Sequence, residues 1–242
     1  ESAAAGWNLT TDNYYAQVYA VHKDIDDQVR ANADSNFNLE SDATKFVTNQ
    51  LLLKKELDFV DAYLKTGVWG TEYTGVASGV GAGEFLQWND PASDPLSDLS
   101  GWVVSFRELT GYAPNRLVLM PYVMNALKNH PDLIDRIKYT QRGVVTEDLV
   151  ASLIGVEKVL VPYATKSTGP QINDAVDQDA AATDSFIAGG ETAVRGYSAP
   201  SPSLMTPTCG YTFTWNGYVG GNSAGVRIKS FRMEHIASDR SE

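Results

Sequence analysis

Along residues 42–65 the apolar side chains return at intervals of three and four. Phe46, Leu53, Leu57, Val60 and Leu64 share one stripe with Ala43 and Gln50, while Lys45, Lys54, Lys55, Asp58 and Asp61 lie largely off it. That period predicts a single amphipathic helix over Asp42–Lys65. Ser41 or Asp42 can cap its start by accepting backbone N–H groups, and Gly67 is placed to stop it. With its rise per residue it would be roughly 35 Å long. Taken alone, such a helix usually means no more than a packed core element.

Beyond it the pattern alternates between helix and strand periods. Asp94–Thr110 reads as a helix with Pro95 in its first turn. Arg116–Met120 is a short apolar run suited to a buried strand, and Lys158–Tyr163 is a second. Between them Pro121–Asn129, Pro131–Lys138 and Thr146–Ile154 read as helices, the last with Glu147 and Asp148 in a first turn that favours negative charge. Together these predict a mixed α/β unit of about 100 residues. The glycine-rich stretch Gly70–Gly83 precedes it as a turn-rich connection and candidate boundary.

The flanks are less regular. Trp7–His22 has aromatic and β-branched weight and reads as extended, and Asp24–Ala33 as a short polar helix. Gly169–Ala182 is small and polar, a loop. Thr183–Ile187 and Glu191–Tyr197 are short, weak β-type segments, and Tyr211–Trp215 is a β-type segment that alternates aromatic with Thr. Gly225–Ile236 reads as a long strand whose two parities are both mixed, so that neither face fits a dry core.

Composition narrows the function. The 242 residues are 43% apolar and 20% charged, ordinary values for a globular chain, and the net charge of −11 argues against a surface that grips nucleic acid. It is compatible with a surface that encloses nucleic acid without holding it. Cys209 is the one cysteine, so no disulfide forms within the chain, and it is expected to be a small buried residue beside a strand. No apolar run reaches the roughly 20 residues that cross a bilayer. The chain opens on Glu1 without an initiator Met, and is expected to begin inside a longer polypeptide.

Motifs for chemistry are missing. His22, His130 and His235 lack metal-ligand spacing, no G-x-S-x-G elbow is present, and Cys209 has no neighbouring histidine to draw off its proton. Gly79-Val-Gly-Ala-Gly-Glu has no following Lys to reach a phosphate, and Lys166-Ser167 lacks preceding glycines. Asp174, Asp177, Asp179 and Asp184 form the one acidic cluster, but their alternation breaks and no Glu closes a calcium loop, so a solvated loop is expected. No catalytic, cofactor-binding or metal-binding residue is assigned, and no cofactor is expected. Weight moves toward a structural or binding role.

A family resemblance adds to this reading. The run from Tyr112 to Tyr163, YAPNRLVLMPYVMNALKNHPDLIDRIKYTQRGVVTEDLVASLIGVEKVLVPY, resembles the major capsid proteins of tailed bacteriophages with the Hong Kong 97-type fold. Asp24–Asp34, Lys65–Gly70, Trp88–Pro95, Pro202–Phe213 and Arg227–Phe231 agree in order. No single piece is a signature, so the specificity lies in the ordered set.

The resemblance implies an α+β Hong Kong 97-like capsid fold with a long spine helix, a peripheral-domain sheet, a mixed α/β axial domain and an extended E-loop. Residues 1–23 would be a partial E-loop strand and 24–87 the peripheral domain with its spine helix at 42–65. Residues 88–190 would form the axial domain, and 191–242 would return to the peripheral sheet. It implies a structural protein and not an enzyme: a homo-oligomer of pentamers and hexamers in an icosahedral head. Such a head encloses double-stranded DNA without reading its sequence and resides in the virion after assembly in the host cytoplasm. Scaffold, portal and decoration proteins are the further partners, and no membrane is involved. Trp7, Tyr14, Tyr15 and Tyr19 are candidate inter-subunit contacts on the E-loop, and Asp174 and Asp177 on the axial loop. An encapsulin-like shell around protein cargo, a small-molecule enzyme and a monomeric binding module are the rival readings. A deep pocket with converging polar groups would favour the enzyme.

Overall fold

Proline and short polar side chains start the helices around the main core. In the computed structural model, which describes residues 11, 13–34, 37–138, 145–167, 184–201, 203, 206–214, 217 and 226–242, α3 spans Pro95–Thr110. Asp94 accepts the Ser97 N–H at 3.0 Å, and Gly111 ends the helix at φ 74°, a left-handed value that costs glycine little. Strand β4 (Arg116–Leu119) leads into α4 (Pro121–Asn129) and α5 (Pro131–Ile137). Helix α6 (Glu147–Ile154) follows, capped by Thr146, and Gly155 at φ 76° turns the chain into β5 (Lys158–Leu160). The sequence places the four helices and β4 within one residue of their ends, while β5 stops at Leu160, three residues short of the Tyr163 expected.

Strands β4 and β5 pair in parallel, as a crossover through α4–α6 requires. On its other side β4 pairs antiparallel with β8 (Ala193–Gly196), giving the sheet order β5-β4-β8. Leu117 and Leu119 of β4 are buried with Leu96, Leu99 and Val103 of α3, Met124 and Leu127 of α4, Leu133 and Ile137 of α5, and Val150 and Ile154 of α6. Two short pairs flank this core. β2 (Thr74–Val76) and β3 (Glu84–Leu86) run parallel, and β6 (Thr165–Ser167) pairs antiparallel with β7 (Asp184–Phe186). These elements belong to one compact unit, Leu53–Tyr211.

The other unit joins the two ends of the chain, Glu1–Leu52 with Thr212–Glu242. Its sheet has the order β1-β10-β9, all antiparallel: β1 is Lys23–Asp26, β9 Ser230–Met233 and β10 Ser238–Ser241. Helix α1 (Asp27–Asn32) follows β1. Helix α2 (Leu39–Tyr63) starts in this unit and continues into the other, the division falling between Leu52 and Leu53. Among the described residues of this unit the buried apolar side chains are Ile25, Ala43 and Val47.

Several expectations change. Helix α2 starts at Leu39, three residues before the Asp42 expected, because Asn38 Oδ1 accepts the Ser41 N–H at 3.1 Å and so supplies the cap assigned to Ser41 or Asp42. The glycine-rich stretch contains β2. Glu191–Tyr197 contributes β8 to the sheet of the second unit, not to the sheet that β9 and β10 form. Residues 211–214 form no strand. The long strand over Gly225–Ile236 shortens to β9, since Glu234–Ile236 coil into a 3₁₀ turn and Ala237 takes φ 48° to reverse the chain into β10. Cys209 lies beside β8, its N–H on the Tyr197 carbonyl at 2.8 Å, but it is exposed and not buried.

Candidate assembly surface

In the first unit residues 13–22 form neither helix nor strand, and all but Val21 are exposed. Tyr14 is 72% exposed, Tyr15 87% and Tyr19 48%. Tyr14 stacks on Phe213, ring centroids 5.2 Å apart with a 21° tilt, and Phe213 is itself exposed. The Tyr19 hydroxyl donates to Gln17 Oε1. A large apolar side chain left in water forgoes about 1.5–3 kcal/mol of burial. The sequence reading missed Phe213 as a partner of Tyr14, because the two lie far apart in the chain. Trp7 lies outside the described residues.

The base of this unit is polar. Arg240 donates from Nε and Nη2 to the two carboxylate oxygens of Asp24 at 2.7 and 2.8 Å, and Arg232 grips Asp27 through both Nη atoms at 2.6 Å. Arg30 joins them by pairing with Asp239 and with Glu40. The guanidinium hydrogen bonds hold the Asp24 and Asp27 carboxyls below the usual carboxylate range. Asp24 faces Arg240, and Asp26 faces Ser238, across the β1–β10 register, which sequence alone does not reveal.

In the second unit the exposed Tyr122 and Tyr163 meet the half-buried Phe186 of β7. Phe186 makes edge contacts with Tyr122 at 5.8 Å and Tyr163 at 6.4 Å. The Tyr163 hydroxyl donates to Glu147 Oε1 at 3.1 Å, and burial with that carboxylate raises its pKa. Asp174 and Asp177 lie outside the described residues.

Groups with catalytic potential are tied up in structure. Ser93 Oγ lies 3.1 Å from His130 Nε2, a spacing that a serine nucleophile would also show. Both are buried, and the serine hydroxyl donates to the Asp90 carbonyl at 2.8 Å. His130 Nδ1 accepts the Asp132 N–H at 3.2 Å, capping α5 and leaving Nε2 to carry the proton. A base with that tautomer cannot take a proton from Ser93. An open concavity of about 330 Å³, lined by Ala77, Gln87, Asn89, Asp90 and Pro91, offers one ionisable side chain. Among the described residues no group of three metal-ligating side chains converges, and no helix is long and apolar enough to cross a membrane.

Comparison with known proteins follows this geometry. Over 135 residues, 56% of the chain, the sequence is 29% identical to the major capsid protein of Burkholderia phage BcepMu. The chain resembles a phage major capsid protein. The match spans 42% of that relative's own length. The fold matches that of a phage-related protein from Bordetella bronchiseptica RB50 with a TM-score of 0.69, covering 92% of this chain and 68% of the other at 24% identity. No protein-family profile matches the chain. The α+β reading therefore stands.

Proposed function

We propose that this chain is the shell-forming subunit of a tailed-phage head, with the Hong Kong 97-type fold and no catalytic role. The similarity over 135 residues to a phage major capsid protein carries the reading. The exposed aromatic arm at 13–19 supports it, since closed symmetry multiplies moderate contacts into a stable assembly. In this reading residues 1–23 are the E-loop segment lying on a neighbouring copy, 24–87 the peripheral domain with its spine helix, 88–190 the axial domain, whose sheet β8 completes, and the chain beyond β8 the return. Pentamers and hexamers close around double-stranded DNA, which the net charge of −11 keeps from adhering. Tyr14, Tyr15, Tyr19 and Trp7 contact the neighbour on the arm, and Asp174 and Asp177 do so on the axial loop.

Electron microscopy of the full chain at high concentration tests this, with closed shells or capsomers expected. Compact monomers at every concentration refute it. Tyr15→Ala should raise the concentration needed for assembly while shifting monomer stability by less than about 0.5 kcal/mol, because the ring is exposed in the single chain. A shell carrying packaged enzyme rather than DNA would favour the encapsulin-like alternative.

A further inference from the structure

Arg195 of β8 stands opposite Leu117 of β4. Its guanidinium carbon lies 5.7 Å from the Tyr73 ring centroid and 5.6 Å from that of Trp102. The two rings stack on each other at 4.8 Å and 15°, and Phe85 meets Trp102 edge-on at 5.0 Å. The guanidinium is thus walled on one side by aromatic carbon, and the residue is only partly exposed.

Other partly shielded arginines have a carboxylate: Arg116 has Glu157 at 3.0 Å, Arg232 has Asp27 at 2.6 Å and Arg240 has Asp24 at 2.7 Å. Among the described residues none supplies a carboxylate to Arg195. Its partial burial draws the pKa down, opposed by the neighbouring Tyr73 oxygen, yet a guanidinium stays charged at any physiological pH. A cation taken partly out of water without a counter-charge destabilises the single chain. An anion arriving from outside relieves that cost, and beside an aromatic wall it is screened less than in open water.

We infer that Arg195 is the receptor for an Asp or Glu side chain of a neighbouring copy, a contact completed only on assembly. This rests on the shell reading above. The chain carries 30 acidic against 19 basic residues, so a second copy offers carboxylates in excess to a guanidinium that lacks one. A carboxylate also matches the guanidinium fork with two parallel hydrogen bonds.

The test uses the full chain as wild type, R195Q and R195K, scored by sedimentation and electron microscopy. R195Q should keep the wild-type circular dichroism and melt no lower than the wild type, since it removes an uncompensated charge, while its assembly threshold rises roughly tenfold or more, the scale of one lost charge-assisted contact per subunit. In R195K particles assembled from mixed isotope-labelled and unlabelled copies, carbodiimide should join the introduced amine to an acidic peptide of another copy. A wild type that assembles beside an equally competent R195Q overturns the inference and leaves the shell reading intact. So does a crosslink confined to one chain, or a contact of this position with packaged nucleic acid. If R195Q does not fold, the R195K crosslink still decides. A wild type that never assembles overturns both.

Discussion

Leu119, Leu127, Leu133 and Val150 are fully enclosed in the second unit, while the first buries only Ile25, Ala43 and Val47 among its described apolar residues. The first unit instead ties its strands with Arg240 on Asp24, Arg232 on Asp27 and Arg30 on Asp239. One region is held by burial, which scarcely responds to salt or acid, and the other by charge, which responds to both. A unit with so small a core is marginal alone, as very small domains are, and keeps Tyr14, Tyr15 and Tyr19 exposed.

The largest test of this contrast is Leu127→Ala. Truncating a fully buried leucine of α4 should cost about 2–5 kcal/mol, read from denaturant melts followed by tryptophan fluorescence. A loss below about 1 kcal/mol would mean that the second unit does not depend on its core.

Next is Asp24→Asn, which strips Arg240 of its two-pronged partner. Amide exchange should quicken on β1 and β10 while β4 keeps its protection. Raising salt toward 1 M, where the screening length falls to about 3 Å, should move the wild type in the same direction. Equal loosening of β4 would erase the distinction.

Acid provides a finer probe. Asp24 and Asp27 have folded-state pKa values below their unfolded ones. Their stabilisation is therefore complete above the unfolded value, about 3.9, and disappears as pH falls through the lower folded values. Exchange corrected for its intrinsic pH dependence should show β1 and β10 opening below about pH 4, before β4.

Asp98 should have the smallest effect and the opposite sign. Burial raises its pKa, although Trp88 Nε1 donates to it at 3.1 Å. The stability linked to it is present below the unfolded pKa and falls as pH rises through the folded value. Asp98→Asn keeps an acceptor for Trp88 and should leave stability at neutral pH unchanged or slightly higher. A clear loss in thermal melts would show that the charge itself is needed.

By itself the sequence determined the elements of the second unit. Asp94-Pro95 and Thr146 write the starts of α3 and α6 into neighbouring residues, and apolar period distinguishes α3 and α6 from β4 and β5. The ordered resemblance to phage capsid proteins was legible too. The tertiary structure decided what depends on distant pairing. Asp24 meets Arg240, Tyr14 meets Phe213, and Arg195 meets Tyr73 and Trp102, contacts that no local pattern encodes. It also shortened β9, since the reversal at Ala237 is set by pairing with β10, and it left Cys209 exposed beside β8. Local rules act over a turn of helix or a pair of strand residues. Register and burial arise only when segments hundreds of residues apart come together.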